Sequence, residues 1–139
     1  MPVLEYHLVE GVHADADIAS LLLDSSQSYA DILKCPIDRI RVYVHLHKPN
    51  MVALGGKLVS EGSLPAPYFH FLVLEGRPLS ECQQLLATFT DLIADRLQVS
   101  RSLVRGGCWP IPPEYWAIAG SPASAIRAQE ISARAASPG

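Results

Sequence analysis

The sequence predicts a mixed α/β fold of the α+β type: two tandem β-α-β repeats forming one four-stranded sheet with two helices on one face. Three observations carry this. The segment PVLEYHLVEG at 2–11 returns without a gap as PYFHFLVLEG at 67–76. Each copy is followed by apolar residues at helical spacing and then by a second extended run. Each half also closes on a similar glycine-terminated tail, NMVALGG at 50–56 and EYWAIAG at 114–120.

The elements follow in chain order. VLEYHLV at 3–9 alternates, with Leu4, Tyr6 and Leu8 on one face, and Gly11 ends it. From about Ala14 to Lys34, Ile18, Leu21, Leu22, Tyr29, Ile32 and Leu33 recur at helical spacing. Asp15 and Asp17 suit the first turn, where carboxylates meet the positive end of the helix dipole. Pro36 closes this helix, and the β-branched run IRVYVHL at 40–46 reads as a strand. In the second half, YFHFLVL at 68–74 is a strand ended by Gly76. Ser80 and Gln83 form a capping-box pattern, and Leu85, Leu86, Phe89, Leu92, Ile93 and Leu97 make an apolar stripe. SLVRGGC at 102–108 is a weaker strand, diluted by Gly106 and Gly107.

A chain of 139 residues suits one compact domain over 1–120, with repeat one at 2–56, a turn-rich linker at 57–66 and repeat two at 67–120. The alanine- and serine-rich tail at 121–139 reads equally as a short docked helix or as irregular chain. With both helices on one sheet face, the opposite face needs another cover. The simplest is a second copy of the chain, so an oligomer is expected.

Composition excludes several classes. The formal charge is −3 with no basic block, which argues against a nucleic-acid partner or a polybasic membrane anchor. No apolar run approaches a membrane span, and no basic segment leads into a signal-peptide core. Cys35, Cys82 and Cys108 are odd in number and scattered, which suits reduced structural thiols in a cytoplasmic protein. His45 and His47 share one strand face and could form half of a metal site. No third ligand is evident, because His7 and His70 lie on other strands and His13 in a turn, so no metal is expected. There is no phosphate-binding loop, dinucleotide glycine pattern or G-x-S-x-G, so no cofactor is expected either.

The proline leading each copy, the doubled E-G, the arginine of EGR at Arg77 and the aromatic residue before the closing glycine together resemble the tautomerase superfamily. The likeness is to the 4-oxalocrotonate tautomerase type in its fused two-repeat form, as in cis-3-chloroacrylic acid dehalogenase and its relatives. The resemblance covers the chain to Gly120 and implies a homotrimer with an amino-terminal catalytic proline. Residue by residue it implies that Pro2 is that proline and that Arg77, Arg105 and Arg41 bind a substrate carboxylate. It also implies that Trp116, with Tyr115 and Tyr29 as further candidates, walls the pocket. Val12 and Val52 depart from the pattern in the first repeat, and Pro67, inside the chain, has no free amine.

The chemistry of these groups is coherent. Removal of Met1 would leave Pro2 as a secondary amine. An α-amino group ordinarily titrates near 7.7–8.0. Burial and nearby arginines both disfavour the ammonium form and would poise the group as a base. Guanidinium groups can hold a carboxylate in two-point fashion and steady a developing enolate. Keto–enol isomerisation of small 2-oxo acids follows without a cofactor. Two alternatives stand beside it. One is hydratase, dehalogenase or decarboxylase activity on unsaturated carboxylates, for which the resemblance asks for an arginine where Leu74 stands and a carboxylate near Ile118. The other is a trimeric scaffold whose site has decayed.

Overall fold

The computed structural model describes residues 2–136. Four strands form one sheet: β1 (Val3–Val9), β2 (Arg41–His47), β5 (Tyr68–Leu74) and β6 (Arg105–Ile111). Their order is β2-β1-β5-β6. The pairs β1–β2 and β5–β6 are parallel, and the central pair β1–β5 is antiparallel. Each parallel pair is one repeat, joined by its helix, α1 (Asp15–Leu33) or α2 (Leu79–Leu97). Short hairpins close the repeats, β3 (Ala53–Leu54) with β4 (Lys57–Leu58), and β7 (Ala117–Ile118) with β8 (Ser121–Pro122).

The alternation read from β1 is the alternation observed. Leu4, Tyr6 and Leu8 are fully buried, as are Phe69, Phe71 and Val73 on β5. The two helices cover this face with Leu21, Tyr29 and Leu33 from α1 and Leu85, Phe89, Ile93 and Leu97 from α2. Phe89 meets Phe71 and Tyr29 edge to face, with centroids 5.2 Å apart in both pairs, an arrangement that aromatic quadrupoles favour. The opposite sheet face carries Arg41, Tyr43, His45, Tyr68 and Trp109 exposed.

The repeats match in detail that no composition reveals. Both helices end on a non-glycine residue in the left-handed region, Lys34 at φ 53° and Gln98 at φ 54°. In each, the capping N–H donates back to a helix carbonyl, Ala30 or Ala94. Gly11 (φ 80°) and Gly76 (φ 103°) turn the chain after β1 and β5, where a side chain would be strained.

Three local expectations shift. The helix of repeat two starts at Leu79 with Pro78 as N-cap and no side-chain cap, so Ser80 lies inside it and forms no capping box. The Pro78 carbonyl takes the first helical bonds, from Glu81 N–H (3.1 Å) and Cys82 N–H (3.3 Å). The last strand begins at Arg105 because residues 101–103 close a 3-10 turn first. It runs on through Pro110, tolerable because β6 is a sheet edge. Finally, the tail folds into α3 (Ala123–Ile126) and α4 (Ala128–Ala136). No described helix is long and apolar enough to cross a membrane.

Candidate active site

The antiparallel β1–β5 pairing decides what can meet Pro2. Val3 lies opposite Leu72, so the start of β1 abuts the end of β5. The Arg41 N–H donates to the Pro2 carbonyl at 3.2 Å and extends the β1–β2 ladder to this residue. Pro2 is buried there, on the wall of a narrow cleft. Leu74 and Arg77 arrive from the end of β5, Cys35 and Arg39 from the segment between α1 and β2, and Arg134 from α4. The Met1 that precedes Pro2 lies outside the described residues.

Arg77 is therefore brought to Pro2. Its side chain is only 13% exposed. It donates to the Leu33 carbonyl at 3.2 Å and to Glu81 at 2.8 Å. Arg41 is exposed in a broad open depression with Tyr43 and Trp116, which adjoins the cleft through Arg39, Ile118 and Arg127. Arg105 goes elsewhere. Its N–H donates to the Pro67 carbonyl at 3.3 Å, and its side chain donates to the carbonyls of Ser102 and Val104. It belongs to the Pro67 end of the sheet.

The three aromatic candidates separate as well. Trp116 is half-buried on the depression. Tyr115 is 82% exposed in the turn before it. Tyr29 is placed in the core, fully buried, with its hydroxyl donating to the Leu72 carbonyl at 2.5 Å, and it does not line the cleft. Burial pushes its phenol well above the ordinary value.

Sequence reasoning missed Arg39, Arg127, Glu130 and Arg134, all of which line the cleft. Arg39 donates from both terminal amines to Glu130, at 3.0 and 2.9 Å. This pairing raises the Arg39 pKa and holds the Glu130 carboxyl below its usual range. The tail did hold a signal. Positions 127, 130 and 134 fall on one face of a helix, and all three are charged in an otherwise alanine- and serine-rich segment.

The thiols behave as structural groups. Cys35, Cys82 and Cys108 are free. Burial raises Cys35, and burial with neighbouring Cys82 pushes Cys108 up to about 12, so neither is poised as a thiolate. The histidines gather where the sequence showed no third partner. His7, His45, His47 and His70 meet on the open sheet face because β1, β2 and β5 are neighbours. His45 and His70 each bond Glu5 at 2.7 Å, and His7 shares a 2.7 Å bond with His47. No described cluster of His, Cys, Asp and Glu is arranged to hold a metal ion.

Two fused β-α-β units, each led by a proline, give this chain the fold of solved fused 4-OT structures. The solved structures agree over nearly the whole chain. Native fused 4-OT superposes with a TM-score of 0.84 at 26% identity, covering 90% of this chain and 98% of that one. An asymmetric trimer of wild-type fused 4-OT gives a TM-score of 0.81, also at 26% identity, covering 89% of this chain and 98% of the other. N1, a member of the cis-3-chloroacrylic acid dehalogenase family, shares the fold at 19% identity, with a TM-score of 0.75 and coverage of 94% and 99%. No protein-family model and no curated protein matches the chain.

Proposed function

We propose that the protein is a cofactor-independent tautomerase of small enolisable 2-oxo acids, acting as a homotrimer in the cytoplasm, with Pro2 as its amino-terminal base and acid. The observation that carries this reading is the meeting of Pro2 with Arg39 and Arg77 in one cleft. Once Met1 is removed, the proline nitrogen accepts a proton as a C–H bond of the bound acid breaks. The electron pair moves into the enolate, and the same nitrogen returns the proton at another atom. A guanidinium neighbour disfavours the ammonium form and lowers the nitrogen's pKa. A carboxylate held by an arginine keeps the reacting carbon within reach. The trimer is supported by the uncovered sheet face and by the trimeric fused 4-OT structures.

The hydratase reading draws less support from the same cleft. Leu74 and Ile118, where the resemblance asks for a second arginine and a water-activating carboxylate, both line it as apolar walls.

The deciding experiment compares processed wild type with Pro2→Ala on phenylenolpyruvate and 2-hydroxymuconate, followed by absorbance, with halide release from cis-3-chloroacrylate as the third arm. A loss of about 10²–10⁴-fold in ketonisation is expected for the variant. Equal rates would leave a scaffold without this chemistry, and halide release without ketonisation would favour the dehalogenase class.

A further inference from the structure

The cleft around Pro2 is lined by Arg39, Arg77, Arg127 and Arg134, and by one carboxylate, Glu130. Followed partner by partner, these cations are not equally satisfied. Arg39 is taken up by both oxygens of Glu130. Arg77 is held by Glu81 and the Leu33 carbonyl. Arg127 stands 4.0 Å from Glu130. Arg134 is left over. Its Nε is buried with no hydrogen-bond partner among the described residues.

A buried guanidinium N–H without an acceptor carries its full desolvation cost. The surroundings of Arg134 add to that cost. Arg77 and Arg39 repel it, and the two carboxylates within range, Glu130 and Glu81, are already engaged by those same arginines. Burial first, and then Arg77, accordingly lower its pKa below the ordinary arginine value. A side chain held this way at the wall of a cleft is relieved by an anion entering it.

We propose that Arg134, carried into the cleft by the C-terminal helix, is an anchor for the carboxylate of the ligand. The inference rests on the reading of the Pro2 cleft as the substrate site, and it deepens that reading. α4 thereby becomes a wall of the site. The Arg39–Glu130 pair fixes the helix that presents Arg134, and a ligand carboxylate then supplies the acceptor that the described residues do not offer its Nε.

Oxalate, which has no proton to transfer, probes the anchor separately from the chemistry. Calorimetric titration of the full-length protein should show oxalate binding weakened about 10- to 100-fold in Arg134→Ala. Arg134→Lys, which keeps the charge but loses the fork, should recover part of it. With an enol substrate, KM should rise by a similar factor while kcat stays within about twofold, a split that a merely structural role would not produce. Melting curves of Arg134→Ala and Arg134→Gln check that the fold is retained. Absent oxalate binding by wild type, or equal binding by wild type and a folded Arg134 variant, overturns the proposal. If oxalate binding depends on Arg134 but no enol is turned over, the anchor stands and the tautomerase reading fails.

Discussion

Arg39 and Glu130 meet fork to fork, both terminal amines of the guanidinium donating to the two carboxylate oxygens across 91 residues of chain. The pair ties the turn before β2 to α4 and makes the tail part of the cleft. Glu130 is 43% exposed, so water and salt screen the attraction.

Glu130→Gln should therefore loosen α4 without unfolding the protein. Amide exchange across 128–136 is expected to accelerate clearly, while global stability falls by about 1 kcal/mol or less. Unchanged exchange in α4 would show that apolar packing, not this ion pair, seats the helix.

Tyr29 separates a packing role from a site role. Its hydroxyl reaches the Leu72 carbonyl from inside the core, so Tyr29→Phe should cost about 1 kcal/mol of stability. Substrate KM should stay at the wild-type value. A large KM effect at unchanged stability would return Tyr29 to the pocket wall.

Gly106 is constrained by a neighbour. A Cβ built there would stand 2.2–2.5 Å from three ring atoms of Phe69, which is fully buried and cannot swing away. Gly106→Ala should destabilise by about 1–3 kcal/mol in urea titration. A stability equal to wild type would mean that the β5–β6 spacing yields more easily than the packing implies.

The histidine cluster predicts acid sensitivity. Burial first, and then the positive charge that His45, His47 and His70 can carry, hold the His7 pKa below its ordinary value. The nearby Glu5 carboxylate opposes this only in part. For Glu5 itself, burial works upward, but its bonds to His45 and His70 outweigh burial and leave its carboxyl below the usual range. The folded state thus takes up a proton at His7 less readily than the unfolded chain, whose histidine titrates near 6.5. That contribution is fully present above about pH 6.5 and is lost as pH falls from there toward the folded value. Tyr68, tilted against His7, and Trp109, stacked on His70, complete the surroundings. Urea midpoints should fall between pH 7.5 and 5.5, and His7→Gln should flatten that slope. An equal slope in the variant would place the sensitivity elsewhere.

The doubled architecture was legible because a repeat is a comparison of the chain with itself. Leu4, Tyr6 and Leu8 at period two and Leu85, Phe89 and Ile93 at helical period each announce a face that must be buried. Pro2 and Arg77 stood out through the same repeat, Pro2 as the copy near the amino terminus and Arg77 as the copy that keeps the arginine, and the structure brings both to one cleft. The capping box at Ser80 misled because a proline two residues earlier offered its carbonyl as an alternative start.

By itself, then, the sequence determined the strands, the helices, their order and the two residues most worth testing, because periodicity and turn chemistry are local properties. Only the tertiary structure decided who stands beside whom. Running β5 antiparallel to β1 set Arg77 against Pro2 and carried Arg105 to the far end of the sheet. Docking of α4 delivered Glu130 and Arg134 to the cleft, and helix packing drew Tyr29 inward. These are through-space relations between residues tens of positions apart, and no local pattern encodes the direction in which two strands will pair.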